Sequence, residues 1–342
     1  MAVVVALGLL VVGGALLVKG SDWFTDGASD LARSLGVSAL LIGIVLAGLE
    51  PEEMLTAAVA SGRGAAGLAI GNVIGTNITI ATLALGLAAA LAPIRLPRSV
   101  RPQALLATIV SIPPIALLFT GVVSRLAGVA LIVLFIAYTL LLIRFDRQAL
   151  ARHEALEALE SGGDDDDDDD GDDDGAEAGA TGTVRVYTPQ QRRAYVLRKA
   201  GVTLLGLLAM ALGGPAIVEG ALRFADSVGL RQSAVGLTLV SLGTGAEMVA
   251  LAIAGSRRRM ADILVGGIIG SIAYNLLVTL GLAAAIRALP VDPRITQVAL
   301  PVMIVVHLAL ITLVFIGRIP RVVGWALLAG YVAYVAAVVI VP

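Results

Sequence analysis

The chain has 342 residues, 58% of them hydrophobic and 15% charged, with a formal net charge of −2 and a mean hydropathy of +0.94. A soluble domain of this size could bury a core, but it could not leave so many successive runs of about 20 residues without charge, the length that crosses a bilayer. Cysteine is absent, which excludes disulfides and thiolate metal sites. The two histidines, His153 and His307, leave too little for an imidazole metal cluster and are expected to be interfacial or merely accommodated. A hydrolase would need a nucleophile–base pair or a metal cluster, so an enzyme is not expected. Nor is a nucleic-acid partner.

In chain order, apolar runs separated by charged or Pro/Gly punctuation predict ten membrane helices, at 2–33, 38–61, 65–92, 103–122, 126–144, 197–228, 233–255, 261–286, 297–316 and 321–341. The first run, Ala2 to Val18, has no positive charge before it and reads as a membrane helix rather than a cleavable signal. Between the fifth and sixth spans lies one polar segment, 145–195, read as a solvated, disordered loop that carries DDDDDDDGDDD at Asp164–Asp174. The domain plan is therefore a first half, 1–144, an acidic loop, 145–195, and a second half, 196–342. Arginine outnumbers lysine 22 to 2; with the aspartate run this composition suggests a halophile. Outside the central segment, ten basic residues lie at one set of alternate span ends and six at the other. That bias puts the amino terminus outside the cell membrane and the acidic loop in the cytoplasm.

A shift of 195 residues superimposes GLEPEEMLTAAVASGRGAAGLAIGNVIGTNITIATLALGLAAAL, residues 48–91, on GTGAEMVALAIAGSRRRMADILVGGIIGSIAYNLLVTLGLAAAI, residues 243–286, without a gap. Gly48 falls on Gly243, Glu52 on Glu247, Gly71 on Gly266, Gly75 on Gly270 and Thr76 on Ser271. A shift of 193 aligns DGASDLARSLG, at Asp26, with EGALRFADSVG, at Glu219. Five spans per half make the second half enter the membrane from the opposite side, so the expected fold is all-α and polytopic, with two inverted-topology five-helix repeats. Such repeats place a substrate site near the bilayer midplane, on helices broken by Gly or Pro. Gly48 and Pro51 in one copy and Gly243 and Gly245 in the other are the expected breaks.

Glu50, Glu52, Glu53 and Glu247 lie inside apolar spans that contain no Lys or Arg. An ionised carboxylate at the bilayer centre costs about 2.5 to 3.5 kcal/mol even on lenient scales, so these groups face a cavity, a partner or an ion. Protonation or a bound cation can offset the burial, and both are transport chemistry. Hard cations take oxygen ligands, and the matched segments supply them: Thr76, Ser271 and Thr244 as hydroxyls, Asn72 and Asn275 as amides, with carbonyls freed at Pro51 or Gly245. A lone hydroxyl in such a helix usually bonds its own backbone; recurrence at matched positions favours a ligand role for Thr76 and Ser271. Asp22, Asp26, Asp30 and Glu219 are expected to be solvated at the interface.

With these residues in view, the two copies resemble the alpha repeats of the cation/calcium exchanger superfamily, whose usual pattern is GTSLPE, a polar turn, then GNVIGSN. GTGAE at Gly243–Glu247, GNVIGTN at Gly71–Asn77 and GSDWFTDGASDLARSLGVS before the first repeat carry the likeness. The resemblance implies ten helices in two inverted halves, with one repeat glutamate from each half coordinating calcium and sodium. It also implies that Thr76 and Ser271 bind sodium, helped by Asn275; the position matching Asn275 in the first repeat is Ile80, a departure. Family spacing back from Gly71 gives Glu53, whereas the internal repeat pairs Glu52 with Glu247. A one-residue difference turns a helical side chain by about 100°, so a local bulge is expected to correct the register, with Glu52 and Glu247 as the preferred pair and Glu53 as the rival. The hydroxyl pair of the pattern reads Leu49 and Glu50 in the first repeat and Thr244 and Gly245 in the second.

The expected function is antiport of calcium against sodium by alternating access, with inorganic cations and the bilayer as partners and transported Ca2+ and Na+ in place of any cofactor. Proton-coupled exchange of calcium or another cation is the alternative, since crowded carboxylates repel one another. A cation channel lined by acids is the reading from another class.

Overall fold

The computed structural model describes residues 2–34, 50–96, 100–161, 189–257 and 261–340. In chain order these form α1 (Ala2–Ser34), α2 (Pro51–Gly62), α3 (Ala66–Thr79, a π-helical turn at Ile80–Ala84, then Leu85–Leu91), β1 (Ile94–Arg95), α4 (Val100–Phe119), β2 (Val122–Val123), α5 (Arg125–Ser161) and α6 (Pro189–Val228). There follow α7 (Gln232–Val235, a π-helical turn at Gly236–Val240, then Ser241–Thr244), α8 (Ala246–Arg257) and α9 (Ala261–Tyr274, a π-helical turn at Asn275–Thr279, then Leu280–Ile286). β3 (Leu289–Pro290), α10 (a π-helical turn at Ile295–Ala299, then Leu300–Ile316), β4 (Arg318–Ile319) and α11 (Arg321–Ile340) complete the chain. Among the described residues, eight helices are long and apolar enough to cross a membrane. The other two expected spans are the interrupted ones. The first is described only from Glu50 onward, and the second breaks at Gly245, between α7 and α8.

The repeat is visible in the backbone. α2 and α8, α3 and α9, and the π-helical turns at Ile80 and Asn275 begin and end 195 residues apart without exception. Each inner helix then leaves on the same extended residue, Ala92 at φ −145, ψ 137 and Arg287 at φ −148, ψ 135. β1 pairs antiparallel with β4, and β2 with β3, so each short ribbon takes one strand from each half. Gly121 and Gly317 end α4 and α10 at φ 84 and φ 83, left-handed values that a side chain would oppose. Ser61 Oγ donates to the Ala283 carbonyl oxygen, and in the mirror contact, with each residue exchanged for its counterpart 195 positions away, Ser256 Oγ donates to that of Ala88, at 2.5 and 2.8 Å.

α3 and α9 form the centre, with 83% and 78% of their spans buried, against 17% and 11% for α5 and α11. The outer helices turn Val4, Leu126, Leu212, Val305 and Trp325 outward, as lipid-facing surface requires. α1 and α6 pack closely and antiparallel along a seam of glycines spaced by seven. A Cβ on Gly13 would lie 2.9 Å from the Gly213 oxygen, and one on Gly206 would lie 2.6 Å from that of Gly20. Small residues allow this approach where no hydrophobic effect drives helices together. In the same way Gly71 and Gly75 of α3 lie against the backbone of α7, with notional Cβ atoms 2.7 and 2.6 Å from the oxygens of Ser233 and Leu237.

One boundary differs from expectation. α5 continues to Ser161 and α6 starts at Pro189, so helix occupies both ends of the segment read as a loop over 145–195. QALARHEALEALE consists mostly of strong helix formers, with no breaker before Gly162 and Gly163. The Asp-rich run lies outside the described residues, as do residues 35–49 with Gly48 and Leu49.

Candidate functional site

The site lies where α2 begins. Pro51 is the first helical residue, suited there because its missing N–H has no partner to lose, and Glu50 precedes it at φ −111, ψ 75. This break turns Glu50, Glu52 and Glu53 into the protein: they are 6%, 1% and 0% exposed. The helix amides of Glu53 and Met54 close on the Glu50 carbonyl, which anchors the turn.

Glu50 reaches across to the other half. Ser271 Oγ donates to Glu50 Oε1 at 2.6 Å, and Asn275 Nδ2 donates to Glu50 Oε2 at 2.9 Å. Both donors sit on α9, Asn275 as the first residue of its π-helical turn, a local widening common at functional sites. Glu53, one helical turn below Glu50, is fully enclosed, with Glu50 and Glu52 as its charged neighbours and Thr76 and Asn275 as its polar ones. Although those two side chains stand nearby, neither oxygen of Glu53 meets hydrogen-bond geometry with any described group. The Asn275 Oδ1 is likewise buried without a partner. Residues 50–62, 64–94, 232–256 and 260–286 contain no Lys or Arg, so the lining supplies oxygen and no positive charge.

Thr244 and Asn72 form a second polar contact close by. Thr244 Oγ1 donates to Asn72 Oδ1 at 3.1 Å and also lies 3.1 Å from the Val240 carbonyl and 3.4 Å from Thr76 Oγ1. Thr76, Thr244 and Asn72 are therefore together on the α3–α7 side, while Glu50, Ser271 and Asn275 meet on the α2–α9 side. Among the described residues no three acids or imidazoles converge on one point; those described are the first-repeat carboxylates Glu50, Glu52 and Glu53 with neutral oxygens around them.

Among the described residues no bulge corrects the register between the glutamates. α2 and α8 start at matched residues, and the π-helical turns follow both at matched positions, so Glu53 corresponds to Met248, itself 6% exposed. Glu52 keeps Glu247 as its counterpart by position; Glu247 is the second residue of α8, and its side chain lies outside what the structure describes. Sequence reasoning ranked Glu50 behind Glu52 and Glu53. Its distinguishing signal was its place before Pro51, where the chain must leave helical geometry and can aim a side chain elsewhere.

The residues expected at the interface behave differently from those in the site. Glu219 takes Arg63 at 2.8 Å and Arg223 at 2.6 Å, all three more than a third exposed, and Lys19 pairs with Asp22 at 3.1 Å. His307 spends its Nδ1 on the Met303 carbonyl at 2.7 Å, within its own helix.

An inverted repeat of broken helices around buried, cation-ready oxygens defines a secondary transporter of cations embedded in the membrane. Residues 5–144 and 199–340 match the family described as sodium/calcium exchanger protein, and the chain belongs to that family. It is 29% identical to the inner membrane protein YrbG of Escherichia coli, over 97% of this chain and 96% of that one. It is 26% identical to the sodium/calcium exchanger MaX1 of Methanosarcina acetivorans, over 95% and 96%. The solved sodium-calcium exchanger NCX_Mj, soaked with 10 mM Na+ and zero Ca2+, superposes with a TM-score of 0.61 at 26% identity, covering 98% of this chain and 99% of that one. The protein is thus a cation antiporter of the cation/calcium exchanger superfamily and not an enzyme, with inorganic cations as its cargo.

Proposed function

We propose that the chain exchanges Ca2+ for Na+ by alternating access, with Glu53 and Glu50 as the principal acidic ligands and Ser271, Asn275 and Thr76 as neutral ones. One observation carries the reading: Glu53 is completely buried, with neither carboxylate oxygen in hydrogen-bond geometry with a described group. A carboxylate so placed is tolerable only if a proton or a bound cation offsets its charge. A hard cation fits the donor set, which is oxygen throughout. Glu52, Glu247, Thr244 and Asn72 complete the proposed ion path, and two halves, 1–144 and 196–342, supply the two-state scaffold. The matched element boundaries support that division. The arginine bias supports an outside amino terminus and a cytoplasmic acidic segment.

Uptake of 45Ca2+ into sodium-loaded proteoliposomes diluted into sodium-free buffer tests the assignment. Accumulation that collapses when the sodium gradient is removed is expected; uptake indifferent to that gradient refutes sodium coupling. Proton-coupled exchange is the second reading, favoured by Glu50 and Ile80 where the family pattern has a hydroxyl and an amide or acid. It predicts uptake that ignores sodium and stops when a pH gradient is dissipated.

A further inference from the structure

The two halves share a backbone but not a chemistry at the centre, and the difference is plain at three matched positions. Glu50, Ser271 and Asn275 map onto Gly245, Thr76 and Ile80 by the shift of 195. On one side stand a carboxylate, a hydroxyl and an amide joined by hydrogen bonds of 2.6 and 2.9 Å. On the other stand a glycine, a threonine whose Oγ1 lies 3.4 Å from that of Thr244, and Ile80, which is 0% exposed. The second side has no room to recover. A Cβ at Gly245 would lie 2.8 Å from the Ser241 carbonyl oxygen and 3.6 Å from the Thr76 methyl. A neighbouring position breaks the same way, with Glu53 facing Met248 across the repeat.

We propose that Glu50 is the ion-selecting ligand of this chain, forming with Ser271 and Asn275 a charged cation subsite on one side of the pseudo-two-fold that its mirror image lacks. The inference rests on the antiport reading above. Ser271 and Asn275 each donate one hydrogen bond, one to each carboxylate oxygen, which orients the carboxylate across the boundary between the halves. Asn275 Oδ1, buried without a partner, is a further oxygen on the same residue. Placing a full negative charge where a hydroxyl would otherwise stand raises the ligand charge count, the quantity that tunes affinity for a small divalent ion over a monovalent one. Among the described residues, the second half contributes Ser271 and Asn275, orientation and neutral oxygens, to this subsite.

The test is a cation titration of the purified full chain in detergent at constant ionic strength, held with choline chloride, reading the melting temperature against CaCl2 or NaCl. Glu50→Gln raises the half-saturating Ca2+ concentration at least about tenfold and that of Na+ by less than about threefold, so the calcium preference falls. Asn275→Leu shifts the preference in the same direction, while Ile80→Leu, its mirror, changes neither constant by more than about twofold. A residue that only packs would alter the melting temperature without altering the ratio of the two constants. A ratio in Glu50→Gln within about twofold of the wild type overturns the proposal, as does an Ile80→Leu shift equal to that of Asn275→Leu. If Glu50→Gln does not fold, Glu50→Asp decides, because it keeps the charge and withdraws it by one methylene: a reduced preference supports the subsite and an unchanged one overturns it. A wild-type protein stabilised by Na+ and Sr2+ but not by Ca2+ would refute calcium as cargo, and the same variants read against Sr2+ would still decide the role of Glu50.

Discussion

The first and second repeats superimpose in every element boundary around the site, yet the first buries Glu50, Glu52 and Glu53 where the second carries Gly245, Glu247 and Met248. Residues that hold helices together are kept in both copies: Gly86 and Gly281, Gly128 and Gly324, Ser61 and Ser256 make equivalent close contacts. Residues that line the buried acidic site are not. Packing fixes how near two backbones can come and so constrains both copies alike, whereas an ion counts the total of ligands and charges and is indifferent to which half supplies them. The pseudo-two-fold is thus a property of the scaffold, and the chemistry sits on it unevenly.

The largest effect expected from this contrast is at Glu53 and its counterpart. Glu53→Gln removes the enclosed charge and lowers 45Ca2+ uptake about a hundredfold, corresponding to about 3 kcal/mol. Met248→Leu, an apolar exchange of similar volume, changes it less than about threefold. Equal losses at both positions would mean that the second repeat shares the load, contrary to the asymmetry described. Next comes the seam between α1 and α6. Gly206→Ala forces a Cβ to 2.5 Å from the Phe24 nitrogen and 2.6 Å from the Gly20 oxygen, and costs about 1 to 3 kcal/mol of stability. Gly201→Ala, on the same helix with nothing within 4 Å, is neutral or stabilises by up to about 1 kcal/mol through helix propensity. Melting of the two variants in detergent separates a glycine needed for approach from one that is not.

The scaffold was legible because its signals are periodic and repeated. Apolar runs gave the helices, and matched glycines with a matched carboxylate gave the internal shift, which the structure reproduces to the residue. The breaks at Pro51 and Gly245 followed from the local chemistry of those residues. The heptad of glycines at 13, 20 and 27 and at 206, 213 and 220 was present in the sequence but carries no charge to draw attention, and its meaning depends on knowing that α1 meets α6. The ligand geometry was less legible. Three acids within four residues cannot all face one way on a helix, and which of them crosses to Ser271 depends on the non-helical turn at Glu50, a backbone fact invisible in residue types. The helical extension to Ser161 was masked by charge: polarity argued for a loop while propensity argued for a helix, and propensity prevailed.

A smaller effect sharpens the mirror within the scaffold itself. Ser61 and Ser256 each donate to a carbonyl that already accepts a backbone amide, Ala283 from Arg287 and Ala88 from Ala92. Truncating either serine therefore leaves no carbonyl orphaned, and Ser61→Ala and Ser256→Ala should each cost about 1 kcal/mol or less. The two costs should agree within a few tenths of a kcal/mol, because both sites share one geometry. Thermal melts of the two variants and of the double variant check this, and a clear inequality would show that the halves differ in stability as well as in chemistry.

The smallest expected effect lies outside the membrane, at a contact with no mirror image. Asp292 joins the start of α7 to the start of α10, accepting from Ser233 Oγ at 2.6 Å, from the Arg294 amide at 3.0 Å and from Arg231 at 3.3 Å, whereas the matched position in the first half is Pro97. Burial works against ionisation of this carboxyl, but the Ser233 and Arg294 hydrogen bonds, with the Arg231 and Arg294 guanidiniums, outweigh it and hold its pKa below the ordinary aspartate value. A pKa lowered on folding contributes stability that is fully present above the unfolded value, near about 3.9, and is lost as the pH falls through the folded value. The wild type should therefore lose more melting temperature than Asp292→Asn between about pH 5 and pH 3, by an amount corresponding to less than about 1 kcal/mol because Arg231 is largely solvated. The variant should already be weaker by that margin at neutral pH, and the two curves should converge in acid. Parallel curves across that range would show that the charge on Asp292 contributes nothing to closing this end of the bundle, and that the second half needs no more tethering there than the first.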